Sequence, residues 1–491
     1  MGIIIKESAK QTVVRIGLSV LGALATLFIY PLSRELYGIL GFVLDTSLLL
    51  VPMVLVGLGE SSIKFFPFKN TDHKTRSEFF TSLTKMLILN VFVVCVLFFL
   101  FKDVLISWSD NPSNDYSKYF IYALPIAICF GITQFFVQYI SNYKIVTLPI
   151  IIQGLYRIGM PLAFILVFYN LTDNIGGIHF MLGSLVLSVV IMAVYAVRAL
   201  LKHKPDTTAK TEPLSKRTFY SFYFWAFAGS LGSLMAFKID GFMVPALTNF
   251  EAGADYRISV FIASIIALPI TSVVTISSPI LSQAWKDLNM EEIKTVYLTG
   301  AKNLVYIGAV MLLGMLLLVD LLPQVLNSWA GLTHLKVLVI IIGFAKLIDM
   351  TAGVNGVIIQ HSPWYRYNTI FVLIMMVINV ILNLIFIKKF GIVGAATATA
   401  ISLIVFNVLK AILLQNKIKL NPFDKSTLLF LLYFSLVVAI MQYTMNTFDF
   451  PLAFTLNIML TLVFAVVFLF YTELAIETRG AILKMYKKFV R

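Results

Sequence analysis

Charge is what this chain has least of. Only 13% of its 491 residues are Asp, Glu, Lys or Arg, about half the share found in soluble domains, which excludes a water-soluble globular fold. Cysteine is nearly absent too. Cys95 and Cys129 both lie in apolar runs, where thiols act as small packing residues and not as a disulfide or metal framework. The five histidines, His73, His179, His203, His334 and His361, are scattered without metal-ligand spacing. Gly57-Leu-Gly59 is not followed by Gly-Lys-Ser/Thr, so there is no phosphate-cradling nucleotide loop, and no Gly-x-Ser-x-Gly nucleophile elbow occurs. Long polar loops that could hold a catalytic site are missing as well. No cofactor, no metal and no nucleic-acid partner are expected, and the chain does not read as an enzyme.

What is present is apolar length. Hydrophobic residues make up 59% of the chain, and a spanning helix needs about 20 of them in a row. The runs predict an all-α polytopic membrane protein with about fourteen transmembrane helices. They cover 12–32, 36–62, 83–107, 119–142, 146–169, 177–199, 219–247, 257–283, 296–320, 335–360, 367–388, 391–415, 427–446 and 451–473. The longest polar stretch, with Pro205 and Pro213, divides six spans from the rest. The expected organisation is an N-lobe at 1–205, a linker at 206–218, a C-lobe at 219–415, two appended helices within 427–473 and a basic amphipathic tail at 474–491. In that tail Ile482, Leu483, Tyr486, Phe489 and Val490 alternate with Arg479, Lys484, Lys487, Lys488 and Arg491, as in a helix lying on an anionic leaflet. A faint repeat at an offset of 217 residues aligns Lys85 with Lys302 and Gly177 with Gly394.

The net charge of +14 sits in alternate loops. Lys64, Lys69, Lys74 and Arg76, Lys202 to Arg217, Lys417 to Lys425, and the two ends carry most of it, while the other set of loops holds little beyond Arg34, Lys102, Lys118, Arg257, Lys388 and Lys389. By the positive-inside rule both termini are expected in the cytoplasm, as an even number of spans requires.

A few charges interrupt the spans, and each costs roughly 3 kcal/mol at the bilayer centre. Arg157 stands about eleven residues from either end of its run, roughly 16 Å at 1.5 Å per residue. Its planar fork suits a phosphate; the competing reading is a structural ion pair. Lys238 and Asp240 are two apart and point away from one another on a helix, so each needs a separate partner or water. Lys346 and Asp349 share a face: either they neutralise each other, or Asp349 takes a proton or Na⁺ while Lys346 meets substrate. Asp45 could pair with Arg15 or Lys238 or carry a proton. Arg15 lies near a span end, where snorkelling competes with a cavity role.

Two stretches carry a family likeness: Ala345-Lys-Leu-Ile-Asp349-Met-Thr-Ala-Gly353-Val-Asn355-Gly356 through Tyr365-Arg-Tyr-Asn368, and Asn379-Val-Ile-Leu-Asn383 through Gly391-Ile-Val-Gly394-Ala-Ala-Thr-Ala-Thr. With Phe237-Lys238-Ile-Asp240 and the pattern from Lys6 to Thr12, they make the chain resemble bacterial polysaccharide (O-antigen type) flippases of the multidrug/oligosaccharidyl-lipid/polysaccharide exporter superfamily. The resemblance implies two six-helix lobes around a central cavity. It also implies transfer of polyprenyl-diphosphate-linked oligosaccharide across the bacterial cytoplasmic (inner) membrane by ion-coupled alternating access, for lipopolysaccharide or a similar surface polysaccharide. Substrate-binding residues would be Arg157, Lys238, Lys346 and Arg15; ion-coupling residues would be Asp240, Asp349 and Asp45, with H⁺ or Na⁺ as the coupling ion. The partners implied are the lipid-linked substrate, membrane lipid and a polysaccharide polymerase or assembly protein. Lys388-Lys389 departs from the proline-lysine common before Gly391. A multidrug exporter of the same superfamily is the alternative, disfavoured by the balance of deep positive and negative charges.

Overall fold

Apolar runs of this length leave the backbone no partner but itself, so the chain must be helical wherever it crosses lipid. The computed structural model describes residues 16–113, 115–145, 147–203, 216–329 and 331–471, with positions 10, 14, 475 and 478–480 in addition. Among them every regular element is a helix and no strand occurs. Arg15, most of the 206–218 linker and nearly all of the 474–491 tail lie outside the described residues.

Among the described residues nine helices are long and apolar enough to cross a membrane, and three further pairs, bent by 47°, 48° and 46°, pass the same test of length and composition when each is taken as one broken span. Arg366–Ile418 counts as one of the nine but holds two spans, because Gly391 leaves the helix at φ 57° and ψ −137°. With the apolar helix Ile16–Leu32 the described residues contain fourteen spans, as the sequence predicts.

They are numbered here α1 (Ile16–Leu32), α2 (Arg34–Lys69), α3 (His73–Ser107), α4 (Tyr116–Ser141), α5 (Thr147–Phe168) and α6 (Asn174–Lys202). Then come α7 (Lys216–Lys238 and Asp240–Leu247), α8 (Phe250–Ile265 and Leu268–Lys286), α9 (Met290–Val325) and α10 (Leu335–Thr351 and Asn355–His361). The last four are α11 (366–390), α12 (391–418), α13 (Lys425–Thr447) and α14 (Phe450–Tyr471). Side chains cap several of these helices as their sequences predict. Asp72 accepts from the Thr75 amide at 2.9 Å and from its hydroxyl at 2.6 Å, and the Thr75 bonds hold the Asp72 carboxyl down at about 2.

The chain forms two compact units, Met1–Ala254 and Asp255–Arg491. In the first, α2 is central. A Cβ at Gly38 would strike the Phe250 backbone, one at Gly131 would strike Val54, and one at Gly57 would come 2.6 Å from the Tyr223 carbonyl oxygen. These close approaches seat the start of α8, α4 and α7 against α2. The packing boundary therefore falls after Ala254 and places α7 in the first unit, whereas the polar linker read from the sequence precedes that helix. Val56 and Gly57, at φ 43° and 77°, interrupt α2. Asn90 of α3 donates to the Leu55 carbonyl at 3.4 Å and to the Tyr223 hydroxyl at 2.9 Å, tying the break to two neighbours.

In the second unit α9 and α10 pack closely: Met350 and Leu347 of α10 leave no room for a side chain at Gly308 of α9. Asn457 of α14 accepts from Thr444 at 2.6 Å and donates to the Met441 carbonyl at 3.2 Å, clasping α13, while Tyr306 donates to the Ala465 carbonyl at 2.8 Å and joins α9 to α14. The repeat gains a structural counterpart. Gly177 lies against Val167 of the preceding span and Gly394 against the Phe386 carbonyl of its own preceding span, so both glycines open a helix that turns back tightly on the last.

Candidate functional site

Arg157, Lys238, Asp240, Lys346 and Asp349 lie near helix breaks, whereas Asp45 lies within the continuous helix Arg34–Leu55. In α5 the helix loosens at Gly154 and Leu155, and Arg157 follows at once. Its guanidinium is exposed; Nε donates to the Tyr156 hydroxyl at 3.3 Å, and the group lies 5.9 Å from that ring. Among the described residues no carboxylate pairs with it.

Lys238 closes the first half of α7 and Asp240 opens the second, with the 47° bend at Ile239 between them. Lys238 is exposed and Asp240 buried, the opposed directions that a spacing of two dictates. An acidic side chain at the first position of a half-helix meets the positive end of its dipole. Gly241, the next residue, packs onto Asp45 of α2, and a Cβ there would collide with the Asp45 carboxylate. Asp45 is 5% exposed. The structure thus brings Asp45 against Gly241 at the α7 bend, while no contact among the described residues joins Arg157 to Lys238.

In the second unit α10 breaks after Thr351, with Gly353 at φ 61° pressed against Ala301 of α9. Lys346 and Asp349 precede the break and are both part-buried. Asp349 does not turn to Lys346: its Oδ1 accepts from Asn407 of α12 at 2.9 Å. Asn407, fully buried, also donates to the Leu403 carbonyl at 3.1 Å, and its own Oδ1 accepts from Asn355 at 3.4 Å. One turn further along α12 stands Lys410, a residue that the sequence reading passed over. It is 7% exposed, its ammonium lies 3.7 Å from the Phe406 ring centroid, and Asp349 is the carboxylate whose charge reaches it. Lys410 follows Asn407 at helical spacing, the one signal that could have drawn attention to it.

Of the other lysines near span ends, two are paired, while Lys85 is exposed. Lys336 meets Asp320 at 2.7 Å and Lys302 meets Asp424 at 3.3 Å, where simple snorkelling would have left them in solvent. Arg15 lies outside the described residues. Among the described residues no group of three or more His, Cys, Asp or Glu could hold a metal ion.

Comparison places this helical membrane protein in a class. Residues 12–285, more than half of the chain, match the model of the polysaccharide biosynthesis protein family, and the chain belongs to that family. Among solved structures it is similar to the lipid II flippase MurJ in an inward closed conformation, with a TM-score of 0.67 at 15% identity over 93% of this chain and 98% of that one. It is also similar to an inward-facing multidrug resistance transporter of the MATE family, in the MOP superfamily, with a TM-score of 0.63 at 13% identity over 82% of this chain and 96% of that one. At such identities the likeness establishes the fold alone, a multi-pass helical fold like that of these two proteins. No curated protein matches the chain.

Proposed function

We propose that the protein is a flippase that carries polyprenyl-diphosphate-linked oligosaccharide across the bacterial cytoplasmic membrane for surface polysaccharide, with both termini in the cytoplasm. The observation that carries this reading is Arg157, an exposed guanidinium mid-span at a helix break, with no carboxylate partner among the described residues. A cation left open at that depth attracts an anion that must pass, and a guanidinium can hold two phosphate oxygens at once. Lys238 is exposed in the same way at the α7 bend; Lys346 and Arg15 complete the substrate set. Family membership supports polysaccharide as the cargo, and the MurJ-like fold supports a lipid-linked form of it. Asp240, Asp349 and Asp45 are the groups that bind H⁺ or Na⁺ and bias the alternating-access cycle, in which each charge moved is worth roughly 2.3 kcal/mol per 100 mV.

The test is complementation of a deletion strain. Arg157→Ala and Lys238→Ala are expected to abolish surface polysaccharide while the protein remains folded in the membrane, and lipid-linked intermediates accumulate by mass spectrometry. Arg157→Lys retains part of the activity, because one point charge replaces the fork. Full display by both alanine variants sinks the assignment. Lowered drug susceptibility in a pump-deficient host, with polysaccharide unaffected, favours the multidrug alternative.

A further inference from the structure

The break in α10 faces an arrangement that has an obvious ligand and already holds a substitute for it. Asp349 supplies a carboxylate whose Oδ1 accepts from the Asn407 side-chain amide, and Asn407 Oδ1 in turn accepts from the Asn355 amide, so the three form one hydrogen-bonded chain. A carboxylate beside an interrupted helix draws an alkali cation inside a membrane, and amide side chains complete such a set by turning their oxygens toward it. Against this set lies the Lys410 ammonium. Its Nζ sits 3.3 Å from the point where a Cβ on Gly356 would be, so the ammonium packs close against the bare backbone there. Among the described residues no acceptor closes on that ammonium. Its stabilisation comes from the Phe406 ring at 3.7 Å and from the charge of Asp349. A lysine 7% exposed, with no direct hydrogen bond among the described residues, has only these two neighbours to offset the cost of its burial.

We infer that Lys410 is a tethered cation that fills the charge demand of the Asp349–Asn407–Asn355 cluster, so that the second unit does not bind Na⁺ and gains a monovalent-cation site only when Lys410 is removed. The inference rests on Asp349 as an ion-coupling group. It narrows the ion at that group, leaving H⁺ as the one it can exchange. An ammonium and a bound Na⁺ carry the same charge, and in a site of low dielectric one carboxylate does not compensate two cations.

The experiment reads cation binding by the purified full-length protein and not polysaccharide export, so its outcome is separate from that of the flippase assignment. Thermal unfolding is followed in detergent in NaCl and in choline chloride of equal ionic strength. The wild type and Lys410→Arg are expected to show no Na⁺-specific shift. Lys410→Met, close in volume, is expected to gain about 2 °C or more in NaCl, and the double variant with Asp349→Asn loses that gain. If Lys410→Met is recovered folded only when NaCl is present throughout extraction, that is the same result. A Na⁺-specific rise in the wild type that Asp349→Asn removes overturns the inference. So does a folded Lys410→Met that does not distinguish Na⁺ from choline, or failure to recover it in either salt.

Discussion

Arg76 and Gly241 show how single residues set the local structure here. Arg76 is 1% exposed, donates to the Leu200 carbonyl at 2.6 Å and to Asn70 at 3.3 Å, and meets His73 Nδ1 at 3.1 Å. It therefore fastens the start of α3 to the end of α6. Arg76→Met leaves the Leu200 carbonyl and the Asn70 amide without their donor and is expected to cost about 2–4 kcal/mol, read as a fall in Tm with wild-type insertion. Gly241→Ala places a methyl into the Asp45 carboxylate; the expected loss is about 1–3 kcal/mol from overpacking. The same substitution at Gly183, where a Cβ meets nothing within 4 Å, serves as the control and leaves Tm unchanged. The deep charges Arg157, Lys238, Asp240, Asp45, Lys346 and Asp349 were legible because each breaks a long apolar run. Lys410 was not. It lies near the end of its run, close to Gln415 and Lys417, where a lysine reads as the edge of the membrane, and only its packing over Phe406 and Gly356 reveals the burial.

At the level of elements, the breaks were the least visible feature. Glycine and proline occur throughout these helices, and periodicity does not tell an interrupted span from a continuous one. Neither Val56, a β-branched residue at positive φ, nor the bend at Ile239 has a sequence signature; contacts from other helices impose both. Gly391 is the exception, since tightly joined apolar runs demand a turn. At φ 57° and ψ −137° it holds a conformation that other residues avoid, and a Cβ there meets no atom within 4 Å. Gly391→Ala therefore isolates the backbone cost, expected at about 1–3 kcal/mol, and the variant's Tm measures it free of steric clash. The loop before α3 carries a pH dependence whose sign follows from Asp72. Its folded-state carboxyl is depressed to about 2, so its cap contributes above the ordinary carboxylate range and is lost as pH falls through about 2. Asp72→Asn is expected to flatten the acid limb of a stability–pH curve below about pH 4 by lowering the plateau at neutrality, where the charged cap contributes in full.

Over the whole molecule, the fourteen spans follow from hydrophobic length alone, and the structure agrees with each of them to within a few residues except where capped ends extend into the loops. The positive-inside count adds an orientation that chemistry can test. With the free cysteines Cys95 and Cys129 replaced by serine, a single cysteine at Ser113 is expected to react with a membrane-impermeant maleimide from outside the cell. A cysteine at Asp287 is expected to react only in inverted vesicles. The reverse pattern inverts the topology and, with it, the direction of transport. What hydrophobic length could not supply is the packing of α7 with the first unit, since that depends on Tyr223 and Ala226 meeting the bare backbone of Gly57.

The junction at Gly391 has a practical side. A chain that reverses on one residue exposes no loop, so that rim offers a protease no strand to cut and an antibody no segment to grip. An epitope tag or fluorescent fusion placed there would have to pry α11 from α12.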